Sequence, residues 1–340
     1  MNARIGLRTL IGLWVGFAAL AAQGQDRQAV PPRQQAAPPQ PRASQPQYSG
    51  PQPQYPAASP TALMPRDPTL HRRAPEGAPA APFTLTPQQQ AEVDALLVQW
   101  EQHGADVKTF ECNFTRFDWD PVWRTDQPMH IVEGEIRYAA PDKGMLRVDG
   151  ELVDFRWDGQ QAAGGRFVEG QQAEHWISNG SSIFEYDFQK KQLTEHKLPP
   201  ELKGRAISDS PLPFLFGAKA ESVRNRYFLR IVTPEGIRDQ AWLEACPKFQ
   251  PDAANFQRAT LILTLGNMQP SAIETVLPNG QSRTVYHFHK IKVNVRNLLD
   301  PLDVFKNNWL HAPTPRGWTK VVEEAPQEQA NLPSGRDATR

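Results

Sequence analysis

Cysteine is nearly missing from this chain. Cys112 and Cys246 are the only two among 340 residues, which excludes a disulfide-dense scaffold or a thiolate metal cluster. There is no Gly-x-Ser-x-Gly elbow, no phosphate-binding Gly-Lys-Ser/Thr loop, no His-Glu-x-x-His and no Cys-x-x-Cys. The nucleophile-elbow, P-loop and zinc-protease chemistries therefore lack their parts. A basic stripe is also absent: residues 83–340 carry 29 Lys and Arg against 34 Asp and Glu. That mildly acidic balance argues against a nucleic-acid partner and gives no reason for attraction to anionic membranes.

What is present begins with a leader. Arg4 and Arg8 precede the uncharged run Leu10–Ala22, with small residues at a cut near Ala22-Gln23-Gly24. The run falls short of the roughly 20 residues a spanning helix needs, so residues 1–24 read as a cleaved secretory signal, with a retained anchor as the alternative. No cysteine lies near the cut, which excludes lipid attachment at an N-terminal cysteine. A periplasmic or secreted protein is expected. Residues 25–82 hold 15 of the 33 prolines with abundant Gln and Ala. Such a segment buries too little apolar surface to offset its ordering entropy, and reads as a disordered Pro/Gln-rich linker or a Pro-rich ligand. In an oxidising compartment the even pair Cys112 and Cys246 is compatible with a disulfide, and equally with two small buried side chains.

Residues 83–320 read as one folded domain, followed by a flexible tail, 321–340. Thr86-Pro87-Gln88-Gln89 is a capping box with Pro at the first helical position. Val93, Leu96, Leu97 and Trp100 then follow helical spacing up to a stop at Gly104. Alternation predicts strands in 109–119, 132–140, 145–149, 151–157, 177–188, 192–198, 226–233, 239–246, 258–266, 270–277 and 281–296. Many short strands without regular intervening helices mean an antiparallel sheet, not a βαβ fold. Glycine-rich 158–172 reads as a long exposed loop. Phe214, Leu215 and Phe216, in "PLPFLF", form an apolar cluster that is either a plug of the core or a lid.

Three weaker constellations carry chemistry. His287 and His289 share a strand face that continues as Ile291, Val293 and Val295; two ligands fall short of a metal site. Asp118, Asp120 and Asp126 surround Trp119 and Trp123; the Gly and closing Glu of a calcium loop are missing. Acids beside aromatics are also the pattern of a sugar site with a glycosidase-type carboxylate pair, and a solvated acidic turn is the expectation. Ser181, Ser208 and Ser210 have no neighbours that would activate a nucleophile. No enzyme, metal site or cofactor is expected.

The residue order does resemble a known family. Phe110 to Thr115 ("FECNFT"), "EGEIRYAAP" (133–141), "SNGSSIFEY" (178–186), "PLPFLF" (211–216), "FLRIV" (228–232), "LILTL" (261–265) and "IETVLPNG" (273–280) follow one another as in the periplasmic lipoprotein carriers, the LolA-like proteins. The similarity extends to exported LolA-like proteins of planctomycete-type bacteria with a Pro/Gln-rich N-terminal segment, and covers 83 to about 320. It implies a mainly β (α+β) fold: an incomplete, curved antiparallel β-barrel covered by short helices. It further implies a monomer whose hydrophobic concave face receives a lipid or the acyl chain of a lipoprotein. The implied lining is Phe110, Phe114, Ile136, Tyr138, Leu146, Val148, Phe184 and Tyr186, with Phe214, Leu215 and Phe216 as lid. An envelope regulatory module binding a protein partner is the alternative on this fold. One position departs: the carriers have Arg before the Pro ending the second strand, where it helps hold the lid, and here that residue is Ala140.

Overall fold

The computed structural model describes residues 80–199, 219–294 and 309–324. Helix α1 (Pro87–Ala105) starts as its residues dictate: Thr86 Oγ1 accepts from the Gln89 N–H at 3.2 Å while Gln89 Oε1 accepts from the Thr86 N–H at 2.9 Å. Val93, Leu96, Leu97 and Trp100 form its buried stripe.

The rest is mostly sheet. Strands β1 (Thr109–Trp119), β2 (His130–Ala139), β3 (Lys143–Val153), β6 (Arg166–Asn179), β7 (Ser182–Asp187) and β8 (Gln192–Lys197) form one antiparallel meander. The short pair β4 (Arg156–Trp157) and β5 (Ala162–Ala163) makes a separate two-stranded sheet between β3 and β6. A second meander runs through β9 (Tyr227–Ile231), β10 (Gln240–Pro247), β11 (Arg258–Thr264), β12 (Gln269–Val276) and β13 (Arg283–Val293). Antiparallel pairing of β1 with β13 joins the two, and β14 (Thr319–Glu323) adds in parallel beside β8. The result is a twelve-stranded open sheet in the order β14-β8-β7-β6-β3-β2-β1-β13-β12-β11-β10-β9. Short helices α2 (Ala220–Arg226) and α3 (Gln250–Ala253) accompany it. This is the expected incomplete barrel, an open and mainly antiparallel sheet, with one parallel pair where a wholly antiparallel sheet was expected.

Register assigns the faces, because paired residues on neighbouring strands point to the same side. Leu243, Leu261, Ile273 and Tyr286 are successive partners across β10 to β13. Ile273 touches two core clusters, so both lie on one face. The first is the β9–β12 half, where α1 and α2 pack on Leu229, Leu243, Leu261 and Leu263. The Arg224 guanidinium holds Asp94 at 2.7 Å, tying α2 to α1. The second cluster is the candidate site.

The opposite, convex face of β13, β1, β2 and β3 carries a ladder of charge. Lys292 meets Glu111 at 2.8 Å, Arg137 meets Glu135, and Arg147 reaches both Glu135 (3.3 Å) and Asp149 (2.6 Å). Farther along, the same face turns apolar: Met145, Ile177, Phe184, Tyr186 and Leu193 pack under Trp309, Ala312 and Trp318.

Several local expectations are corrected. The stretch 158–172 is not a long loop: it contains β5 and the start of β6, with Gly150 opposite Glu169 and Leu152 opposite Phe167. The strand expected at 151–157 is divided, since Asp154 takes φ 57° between β3 and β4. The tail expected from 321 onward begins inside β14.

Candidate functional site

The concave face of the β1–β2–β3–β6–β13 wall is built by alternation. On β1, Phe110, Cys112 and Phe114 point inward and are 0–2 % exposed. Ile136 on β2 lies between Cys112 on β1 and Leu146 on β3, and Leu146 pairs in turn with Trp176 on β6. Val132, Val148, Ile183, Leu198, Tyr286 and Phe288 complete the buried cluster, with Tyr138, Ile291 and Val293 packed at its margin. The Phe114 and Tyr286 rings sit 5.3 Å apart, and Tyr286 stacks with Phe288 at 6.2 Å. Gly134 makes this packing possible. A Cβ there would stand 2.1 Å from the Arg147 carbonyl oxygen and 2.5 Å from Phe114 Cζ.

Six expected lining residues are therefore brought together: Phe110, Phe114, Ile136, Leu146, Val148 and, half-buried, Tyr138. Two are not. Phe184 pairs with Ile177, which pairs with Met145, placing it with Tyr186 in the convex cluster under the C-terminal segment. The Tyr186 hydroxyl donates to the Pro313 carbonyl at 3.0 Å. The alternation on β7 holds, but its aromatic face is the one turned away from the concavity. The expected lid, Phe214, Leu215 and Phe216, lies outside the described residues.

Sequence reasoning missed Trp176, Tyr286 and Phe288. The last two alternate with the histidines in "YHFHK", and that alternation was the signal available for them. His287 and His289 point to the convex side, where burial pulls His287 down to about 4 and lowers His289. Their face does not continue through Ile291 and Val293. The β1–β13 register shifts between Glu111 and Asn113, and Lys290 adopts φ 53°, so a bulge turns Ile291 and Val293 inward.

At the β1–β2 hairpin end the concave face becomes polar. Arg116 follows Phe114 inward and is 4 % exposed. Its Nε donates to Asp118 Oδ2 at 3.0 Å, and Nη1 and Nη2 grip the Glu174 carboxylate at 3.0 and 2.9 Å. Thr284 donates to Asp118 Oδ1 at 3.0 Å. Burial alone would lower the Arg116 pKa, but Asp118 and Glu174 outweigh it and hold the guanidinium charged. His130, opposite Asp118 on β2, shares a hydrogen bond with Glu151 of β3. So Asp118 is a buried ion-pair residue, not part of a solvated acidic loop. Asp120 instead shapes its turn, accepting from the Val122 N–H at 3.0 Å.

The cysteines are unbonded, which corrects the disulfide kept open above. Cys112 points inward on β1. Cys246 shares the convex side with Glu244 on β10, and β13, β12 and β11 lie between the two strands. Four strand spacings, about 19 Å along the sheet, and opposite faces exclude a bridge. Burial, seconded by Glu135, pushes the Cys112 thiol far up, and burial raises Cys246 too.

Among the described residues no helix is long and apolar enough to cross a membrane, and no group of three His, Cys, Asp or Glu is placed to hold a metal ion. No protein-family model matches the chain, and no curated protein matches it. Solved structures similar to it include an uncharacterized conserved protein from Thermus thermophilus, with 9% identity, TM-score 0.36, and 69% of this chain and 100% of that one covered. A LolA superfamily protein from Nitrosomonas europaea has 11% identity and TM-score 0.30, covering 64% of this chain and 99% of that one. LprF from Mycobacterium bovis has 8% identity and TM-score 0.31, covering 60% and 95%.

Proposed function

We propose that this is an exported, non-catalytic lipid-binding protein that carries a lipid, or the acyl chain of a lipoprotein, against the concave face of β1, β2, β3, β6 and β13. One observation carries the reading. Twelve hydrophobic residues of that wall, from strands and from Leu198 just beyond β8, form one continuous apolar lining distinct from the half of the same face on which α1 and α2 pack. Sequestering a hydrocarbon chain gains about 0.8 kcal/mol per buried methylene, so an apolar wall suffices and no catalytic group is required. Phe110, Phe114, Ile136, Tyr138, Leu146 and Val148 form the acyl-contacting set, joined by Trp176 and Phe288. The periplasm or the exterior is the matching location, and a monomer the working form.

Native mass spectrometry of protein isolated from its own envelope tests this. A co-purifying acylated species supports carriage. A clean apo mass together with no uptake of a fluorescent fatty alcohol contradicts it. A second reading, an envelope module binding a protein partner, is favoured by the sheet edge at β9, whose strand pairs only with β10 among the described residues.

A further inference from the structure

The polar end of the concave wall holds more negative charge than its own cation answers. Glu151, Val132, Arg116 and Tyr286 are successive cross-strand partners, so Glu151 and Arg116 face the same side. His130, Asp118 and Thr284 form the next row. Three carboxylates, Asp118, Glu151 and Glu174, thus gather on one face with Arg116 and His130. The Arg116 guanidinium is fully engaged: Nε on Asp118, Nη2 on Glu174, and Nη1 on Glu174 with the Tyr286 hydroxyl 3.5 Å away.

Glu151 is different. It is 5 % exposed; its Oε1 is shared with His130 Nδ1, and its Oε2 is buried with no hydrogen-bond partner among the described residues. An unsatisfied buried carboxylate oxygen is costly, and the lone pairs left at this end call for a donor. The cluster carries a formal charge of minus two with His130 neutral and minus one with it protonated. No three of the acidic and histidine groups converge as metal ligands. An organic cation bearing N–H donors matches this acceptor, at the point where the apolar wall of Val132, Phe114 and Val148 begins.

We propose that Glu151, with Asp118 and Glu174 around it, binds the ammonium head group of an amphiphile whose tail lies along the concave wall. This rests on the lipid-binding reading above and specifies its ligand class: amine-bearing amphiphiles in preference to fatty acids or neutral lipids. Glu151 Oε2 accepts a charge-assisted hydrogen bond from the ammonium, while a carboxylate or phosphate head in the same place meets like charge.

The test compares tetradecylammonium, tetradecanoate and tetradecanol, each below its aggregation concentration, in displacing a fluorescent apolar probe from the intact protein. The expected result is that the amine binds at least about tenfold more tightly than the other two. Glu151→Gln, its folding checked by thermal unfolding, should remove that preference, bringing the affinity for the amine down to that for tetradecanol. Equal binding of all three overturns the head-group assignment but leaves the lipid reading standing. An amine preference that survives Glu151→Gln equally overturns the role of Glu151. Binding of none of the three overturns the underlying reading itself.

Discussion

Arg116 on β1 grips Glu174 on β6 through two hydrogen bonds of 2.9 and 3.0 Å, although β2 and β3 lie between their strands. On a flat sheet those strands would stand about 14 Å apart. The bridge closes because the wall curls around its concave side, and it fixes that curl. Losing one partner leaves charge buried without its complement, the costly half of a buried ion pair. Arg116→Met should lower stability by about 3–5 kcal/mol in urea unfolding. Replacing Arg116, Asp118 and Glu174 together by apolar residues of similar volume should recover much of that loss.

Gly134 is the second determinant of the wall. An added methyl would collide with the β3 backbone and the Phe114 ring. Gly134→Ala is expected to cost about 1–3 kcal/mol or more. Gly266→Ala, where an added Cβ would meet no non-neighbouring atom of the described residues within 4 Å, should stay within about 0.5 kcal/mol. Chemical denaturation of the two variants side by side checks the contrast.

Two half-buried histidines set the acid limb of stability. Burial, seconded by Arg147, pulls His175 down to about 4, and burial with His289 does the same to His287. Between about pH 4 and the ordinary value of 6.5, the unfolded chain binds protons that these folded imidazoles refuse. Stability should therefore rise with pH across that window. Urea midpoints should climb from about pH 4.5 to about 7, and less steeply in His287→Phe.

His196 titrates in the opposite sense. Burial works to lower its pKa, but hydrogen bonds and charge from Glu185 (3.4 Å) and Glu323 (2.9 Å) leave it raised. Its contribution is full below pH 6.5 and is lost as pH rises through the folded value. Because Glu323 ends β14, the amides of Val321 and Val322 should lose protection at alkaline pH, after correction for intrinsic exchange. His196→Gln should flatten that dependence.

The thiols give a simple check on the sheet order. With Cys112 and Cys246 on opposite faces, intact protein purified under oxidising conditions should show no mass change on reduction. Alkylation of the native state should reach half-buried Cys246 well before Cys112. A bridged mass would contradict the strand order.

How far residues foretell this structure depends on the range over which they act. Helix α1 is legible because Thr86, Gln89 and the Val93–Trp100 stripe act within a few turns. Strand β1 is legible because Phe110, Cys112 and Phe114 alternate without interruption. Alternation says which residues of one strand share a face, but not which faces of separate strands coincide. That is why Phe184 and Tyr186 are expected beside Phe114, when register sets them beside Met145 and Ile177. The first half of β6 is hidden by Gly164, Gly165 and Gly170 among polar residues, with its partner β3 supplying the order. A single bulge at Lys290 reverses the face of Ile291. Arg116 and Glu174 are 58 residues apart, and nothing local to either announces the other.

Photocrosslinking tests most directly whether a hydrocarbon chain lies on the concave wall. A fatty amine carrying a diazirine near its methyl end, irradiated with the intact protein and mapped by mass spectrometry, should label Phe110, Phe114, Ile136, Val148, Trp176 or Phe288. Labels confined to the convex side, or their absence at saturating probe, would contradict it.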